Sequence, residues 1–150
     1  MENNSFSSTI PVGGSAEETI RKIGRVAEWW GVSISGNSAK QGDHFSGKMS
    51  ADAFVNFTVE ELVPGKRLVW LVTDSYFPWY GDKTEWTGTR LVFVVQEGGG
   101  EMKLTFTHEG LTPDVECYND CHEGWTHWIK TSLFSFLTTG KGVFRQPTKQ

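Results

Sequence analysis

Hydrophobic positions in this chain recur with two different periods, and the change between them outlines the fold. Ser5–Val12 alternates residue by residue, with Phe6, Ser8, Ile10 and Val12 on one face, which is the period of a strand. Pro11 has no N–H to donate to a ladder, so this strand is expected at a sheet edge. Gly13-Gly14 breaks it, and Ser15-Ala16-Glu17-Glu18 has capping-box spacing, with Ser15 as cap and Glu18 reaching back. A short helix follows with Ile20 and Ile23 inward. Gly24 interrupts it before a second turn that carries Val26, Trp29 and Trp30. Gly31 to Gly42 is small and polar and reads as mostly connection.

From His44 the period is two. His44–Met49 and Phe54–Val63 flank the turn Ser50-Ala51-Asp52-Ala53, and Pro64-Gly65-Lys66 joins the second of these to Arg67–Ser75. Leu68, Trp70 and Val72 share one face of that strand. Thr87–Glu97 follows, with Thr89, Leu91, Phe93 and Val95 alternating. Gly98-Gly99-Gly100 makes a hairpin loop without phosphate-loop context, and Glu101–Glu109 puts Met102, Leu104, Phe106 and His108 on one face.

The period then becomes helical. At about 100° per residue, Tyr118, Cys121, Trp125, Trp128, Ile129, Leu133 and Phe136 form one broad stripe, opposite Glu116, Asp120, Glu123, His127 and Lys130. Thr112 as cap, Pro113 at the first position and Gly140 beyond the end predict a helix over Thr112–Thr139. Gly124 lies inside it, for a bend or a close backbone approach. The order of strand, short helices, antiparallel strands and one long helix predicts an α+β domain. Its strands would supply the wide apolar surface on which the last helix lies.

Composition sharpens this picture. A chain of 150 residues is expected to form a single domain (1–150), and seven Trp and ten Phe make its apolar residues unusually large. The net charge is −4 with no Lys/Arg run, which argues against nucleic acid or an anionic membrane as partner. No apolar run approaches the roughly 18 residues of a membrane span, so no membrane insertion is expected. MENNSFSSTI lacks the basic and apolar regions of a signal peptide, so the expected location is cytoplasmic and the Asn3-Asn4-Ser5 sequon a chance match. Cys117 and Cys121 offer no disulfide framework and are expected reduced and metal-free. No cofactor is implied, and no Gly-x-Ser-x-Gly, His-Glu-x-x-His or Walker motif supports the common hydrolase and nucleotide classes.

Several pieces in order carry a resemblance. They are Trp29-Trp30, Val63-Pro64-Gly65-Lys66-Arg67-Leu68-Val69-Trp70, Glu85-Trp86-Thr87-Gly88-Thr89, Leu104 to Leu111, and Gly124-Trp125. Together they resemble the SRPBCC or START-like superfamily, specifically domains similar to the activator of Hsp90 ATPase homologue, from about Phe6 to Gly142. The resemblance implies a helix-grip fold with a cavity between the curved sheet and the C-terminal helix. It covers this domain without the additional N-terminal domain of the eukaryotic co-chaperones, and it carries over no catalytic residue.

On that fold, the ligand-binding candidates are Trp70, Phe93, Phe106, His108, His122, Trp125, Trp128, Ile129 and Leu133. His108 and His122 are either groups that hydrogen-bond a ligand or move a proton near neutral pH, or satisfied core and rim histidines. The stretch from Tyr76 to Trp86 packs five aromatics into a loop. It is a lid built on Phe77, Trp79 and Trp86, an exposed contact surface, or a cluster capping the core. The acidic face of the last helix reads as solvated surface. The expected activity is reversible binding of a small hydrophobic or aromatic molecule. The alternatives are an interaction module that modulates a chaperone ATPase, or a cyclase- or hydrolase-type enzyme using a pocket histidine.

Overall fold

The computed structural model describes residues 5–81, 83–98 and 100–143. Asn3 and Asn4, Asp82 of the aromatic loop, Gly99 of the triple glycine and Arg145 lie outside the described residues. Seven strands form one antiparallel sheet: β1 (Phe6–Val12), β2 (Ser33–Gly36), β3 (His44–Lys48), β4 (Phe54–Val63), β5 (Arg67–Tyr76), β6 (Arg90–Gly98) and β7 (Glu101–Glu109). Their order is β1-β7-β6-β5-β4-β3-β2, so β1 is an edge strand, as Pro11 requires. It pairs along β7 from Phe6 opposite His108 to Val12 opposite Met102. Two register shifts between β4 and β5, at Asn56/Phe57 and Val59/Glu61, add the local twist that curves the sheet.

Alternation along these strands turns their largest side chains to one face. Phe45 lies opposite Phe57, Trp70 opposite Leu91 and Phe93 opposite Phe106, all buried. Helix α1 (Ala16–Ile23) starts where the sequence predicts, with Ser15 Oγ accepting from the Glu18 amide at 3.0 Å. The other half of the box is absent, because the Glu18 carboxylate turns to Arg21 and Lys22. A 3₁₀ turn, Val26–Glu28, then delivers Trp29 and Trp30 to the core, and Trp29 donates to the Ile23 carbonyl at 3.0 Å.

Three corrections concern local structure. The stretch read as connection contains β2, a strand of four residues paired to β3. The segment Thr87–Thr89 belongs to the turn before β6. The last helix begins later than Thr112 and Pro113 predict: residues 112–117 turn first, and α2 (Tyr118–Trp125) continues through a π-helical segment (Thr126–Leu133) into α3 (Phe134–Thr139). Gly140, at φ 87°, closes α3 in the left-handed conformation that suits glycine. A fourth correction is covalent. Cys117 and Cys121, expected reduced, are joined as a disulfide, their Cα atoms 5.6 Å apart and so within bridging range.

The last helix lies on the concave face of the sheet, and Trp125 is its anchor. Its ring centroid lies 4.8 Å from that of Phe106, 5.2 Å from Trp30 and 5.8 Å from Trp86, and the residue is 2% exposed. Further along, Ser132 Oγ donates to the Trp29 carbonyl at 2.6 Å and accepts from the Val143 amide at 2.9 Å. This bond ties helix, 3₁₀ turn and C-terminal segment together. None of the described helices is long and apolar enough to cross a membrane.

Candidate functional site

Much of the space expected between sheet and helix is filled. Trp70 packs against Trp29, Phe45, Phe57 and Phe93 at centroid distances from 4.9 to 6.4 Å. Trp70, Phe93, Phe106, Ile129 and Leu133 are fully buried in this aromatic core. The structure does not place them on the wall of the open cleft described below.

His108 belongs to the closed interior as well, and its hydrogen bonds define its protonation. The Trp125 indole N–H donates to His108 Nδ1 at 3.1 Å. On the other side of the ring, Nε2 lies 2.9 Å from Thr89 Oγ1, whose own proton goes to the Trp86 carbonyl at 2.6 Å. Thr89 is therefore the acceptor and Nε2 carries the proton. Every group is satisfied with a neutral imidazole, and a proton at Nδ1 would confront the indole donor. Burial pushes the imidazole down to about 3, in agreement with this circuit. His108 thus pins β7 to the helix and to the aromatic loop, and neither nitrogen is available for acid–base work. His122 lies elsewhere, exposed and edge-on to Phe6 at 4.9 Å.

The open space lies on the other side of Trp125. A cleft of about 360 Å³ is walled on the helix side by Asp120, Cys121, Gly124, Trp125 and Trp128. Phe77, Trp79, Tyr80 and Trp86 of the loop face them, and Trp30, Val32 and Met49 complete the wall. Five of the sequence candidates meet here: Trp125 and Trp128, with Phe77, Trp79 and Trp86 from the proposed lid. Within the loop, Phe77 and Trp86 are buried against the core whereas Trp79 is 56% exposed.

A reciprocal clasp holds loop and helix apart at this width. The Glu85 carboxylate accepts from the Glu116 and Cys117 amides at 3.1 and 3.0 Å, capping N–H groups just before α2. Glu116 in turn accepts from the Gly81 amide at 2.9 Å. The Tyr80 hydroxyl donates to Asp120 Oδ2 at 3.1 Å, and burial together with the Asp120 charge pushes the phenol up to about 12. The disulfide adds to this wall, because Cys117 Sγ accepts from the Trp86 indole and Cys121 faces the cleft.

Gly124 does not serve the close backbone approach, one of its two expected uses. A Cβ built there meets nothing within 4 Å, so no backbone approaches closely; its missing side chain leaves the cleft open. Trp30, Val32, Met49, Tyr80, Asp120 and Cys121 also lie on the wall without having been singled out as ligand contacts. A larger hollow, about 870 Å³ beside β1 and the β6–β7 turn, is lined by glycines, Glu97 and Glu101 with no aromatic ring among its described residues. Pro11, Val12 and Met102 give it apolar surface, but beside two carboxylates and no ring on which a flat guest could stack. The described residues hold no group of three or more side chains able to bind a metal.

Sheet, gripped helix and end cleft define an α+β helix-grip domain. The family model for activator of Hsp90 ATPase homolog 1-like proteins matches residues 19–138, and the chain belongs to that family. A search of curated proteins found no match. Among solved structures, the chain is similar to the Aha1 dimer from Colwellia psychrerythraea, at 22% identity and TM-score 0.70, covering 95% of this chain and 100% of that one. It is also similar to DynU16, described as a putative protein in the dynemicin biosynthetic locus, at 17% identity and TM-score 0.67. That match covers 94% of this chain and 49% of DynU16. CalU16 from Micromonospora echinospora matches at 15% identity and TM-score 0.62, over 93% of this chain and 76% of its own. These similarities establish the fold.

Proposed function

We propose that the protein reversibly binds a small apolar or aromatic molecule in the cleft between α2 and the aromatic loop. The observation that carries this reading is the wall itself: seven aromatic side chains surround about 360 Å³ that Gly124 leaves unfilled. Such a space falls within the usual range of small-molecule pockets, roughly 300–1,000 Å³, and rings on opposing sides can stack on a flat guest. Catalysis by His108 receives no support from its closed hydrogen-bond circuit.

The test is titration with the neutral dye N-phenyl-1-naphthylamine, followed by dye emission and tryptophan quenching, alongside native mass spectrometry of the freshly purified protein. Saturable one-to-one uptake, lost in Gly124→Leu while the melting curve is retained, is the expected result. Stimulation of a chaperone ATPase by a protein that takes up no probe would replace this reading with the interaction module.

A further inference from the structure

The cleft wall carries one formal charge among its described residues, and that charge is negative. Asp120 contributes it from the first turn of α2. Its Oδ2 accepts the Tyr80 hydroxyl, and no described Lys or Arg pairs with the carboxylate. Lys83, in the same loop, does not line the cleft; its Nζ donates to the Tyr80 carbonyl at 3.1 Å. Glu85 and Glu116 hold the clasp beside the cleft, adding negative charge while they accept backbone amides. The rest of the wall is mostly aromatic faces and edges. Trp86 and Trp125 lie nearly parallel, 16° apart, and Trp79 and Tyr80 stand at 68° to each other on the opening side.

We infer that the guest of this cleft is an organic cation: a tertiary or quaternary ammonium joined to an apolar or aromatic body. The inference rests on the binding function proposed above and adds the sign of the ligand's charge. Each ring presents the negative side of its quadrupole to a cation held over its face, so several rings around one space favour a diffuse ammonium over a neutral group of equal shape. The carboxylate supplies the matching charge at one end of the cleft. An anionic guest would meet Asp120 and the electron-rich ring faces with no basic side chain among the described wall residues. A strongly hydrated primary ammonium would lose more water on entry than these rings return, which selects alkylated nitrogen. The apolar body then occupies the space beside Gly124, Trp125 and Trp128.

The experiment compares three ligands of similar size by tryptophan quenching and calorimetry on the intact chain: benzyltrimethylammonium, its neutral carbon isostere neopentylbenzene, and the anion 4-tert-butylbenzoate. The cation is expected to bind roughly tenfold tighter than the neutral isostere, the scale of a desolvated cation–aromatic contact, with the anion weakest. Asp120→Asn keeps an acceptor for Tyr80, so a melting curve near the parent's is expected, while the cation-to-neutral affinity ratio collapses towards one. Adding salt should narrow the same ratio, because part of the preference is electrostatic. If cation and neutral isostere bind equally, the charge assignment is overturned and apolar binding stands. If the anion binds tightest, the assignment is overturned with the sign reversed. If neither these ligands nor the neutral dye binds, both readings fall together.

Discussion

Trp125 divides two aromatic regions that are built alike and behave differently. On one side its indole N–H points at His108, in a closed interior where each polar atom of the His108–Thr89–Trp86 circuit has a partner. On the other side its ring lines an open cleft, where Asp120 keeps an oxygen that accepts nothing from the described residues. The imidazole looks like the chemical group and the carboxylate looks like surface. Satisfaction of hydrogen bonds reverses that impression: a polar group whose bonds are complete stabilises the fold, and one with spare capacity beside empty space can receive a ligand.

The largest expected effect breaks both regions at once. Trp125→Ala removes the shared wall, opens a cavity beside Phe106 and Trp86, and leaves His108 Nδ1 without its donor. A loss of about 3–5 kcal/mol in unfolding free energy is expected from denaturant titration. A loss below about 1 kcal/mol would show that the helix does not depend on this anchor.

The closed side predicts an acid dependence. In the unfolded chain His108 takes a proton near 6.5, whereas in the folded protein it stays neutral until about 3. Between those values the unfolded state binds more protons, so lowering the pH favours unfolding. The contribution is fully present above about 6.5 and is lost as pH falls towards 3. Urea titrations from about pH 7.5 to about 4.5 should show wild type losing up to about 1.4 kcal/mol per pH unit more than His108→Gln. Parallel slopes would mean that the imidazole is protonated in the fold and the circuit is misassigned.

On the open side, Gly124→Leu sharpens the comparison. The new side chain meets open space and replaces glycine with a good helix former, so stability should hold or rise by about 1 kcal/mol. Dye binding should vanish. A variant that still binds as wild type does would move the site away from α2.

Much of the closed region was legible in the sequence, and most of the open one was not. Alternation placed Phe106 and His108 on the inner face of β7, and the helical stripe identified Trp125 as an anchor. Pro11 marked an edge strand and Gly140 a helix end, because each signal acts through its own backbone. Strand β2 was hidden: Ser33–Gly36 shows no buried alternation and exists by pairing with β3. The late start of α2 was hidden too, since its capping carboxylate, Glu85, comes from the distant aromatic loop. Asp120 falls on the polar face of a helical projection, and only the loop folding over that face makes it part of a wall. The cysteines gave a spacing but not the backbone geometry that lets them join.

The smallest expected effect on stability tests whether the rim belongs to the cleft or only to the core's cap. Trp79 stacks on Phe77 at 5.9 Å and 25°, yet more than half of it remains exposed, so little apolar area is lost from the core if it is removed. Trp79→Ala should therefore change unfolding free energy by no more than about 0.5 kcal/mol, as at most surface positions. A ring that closes over a guest would nevertheless contribute a stacking contact of about 0.5–1.5 kcal/mol, and dye affinity should fall several-fold. Phe77 and Trp86 cannot separate these quantities, because both are buried and their loss would disturb fold and binding together. Unchanged affinity in Trp79→Ala would confine the site to the inner wall at Trp125 and Trp128. A stability loss above about 1 kcal/mol would instead make Trp79 part of the cap, and the boundary between the two regions would move outward to the loop.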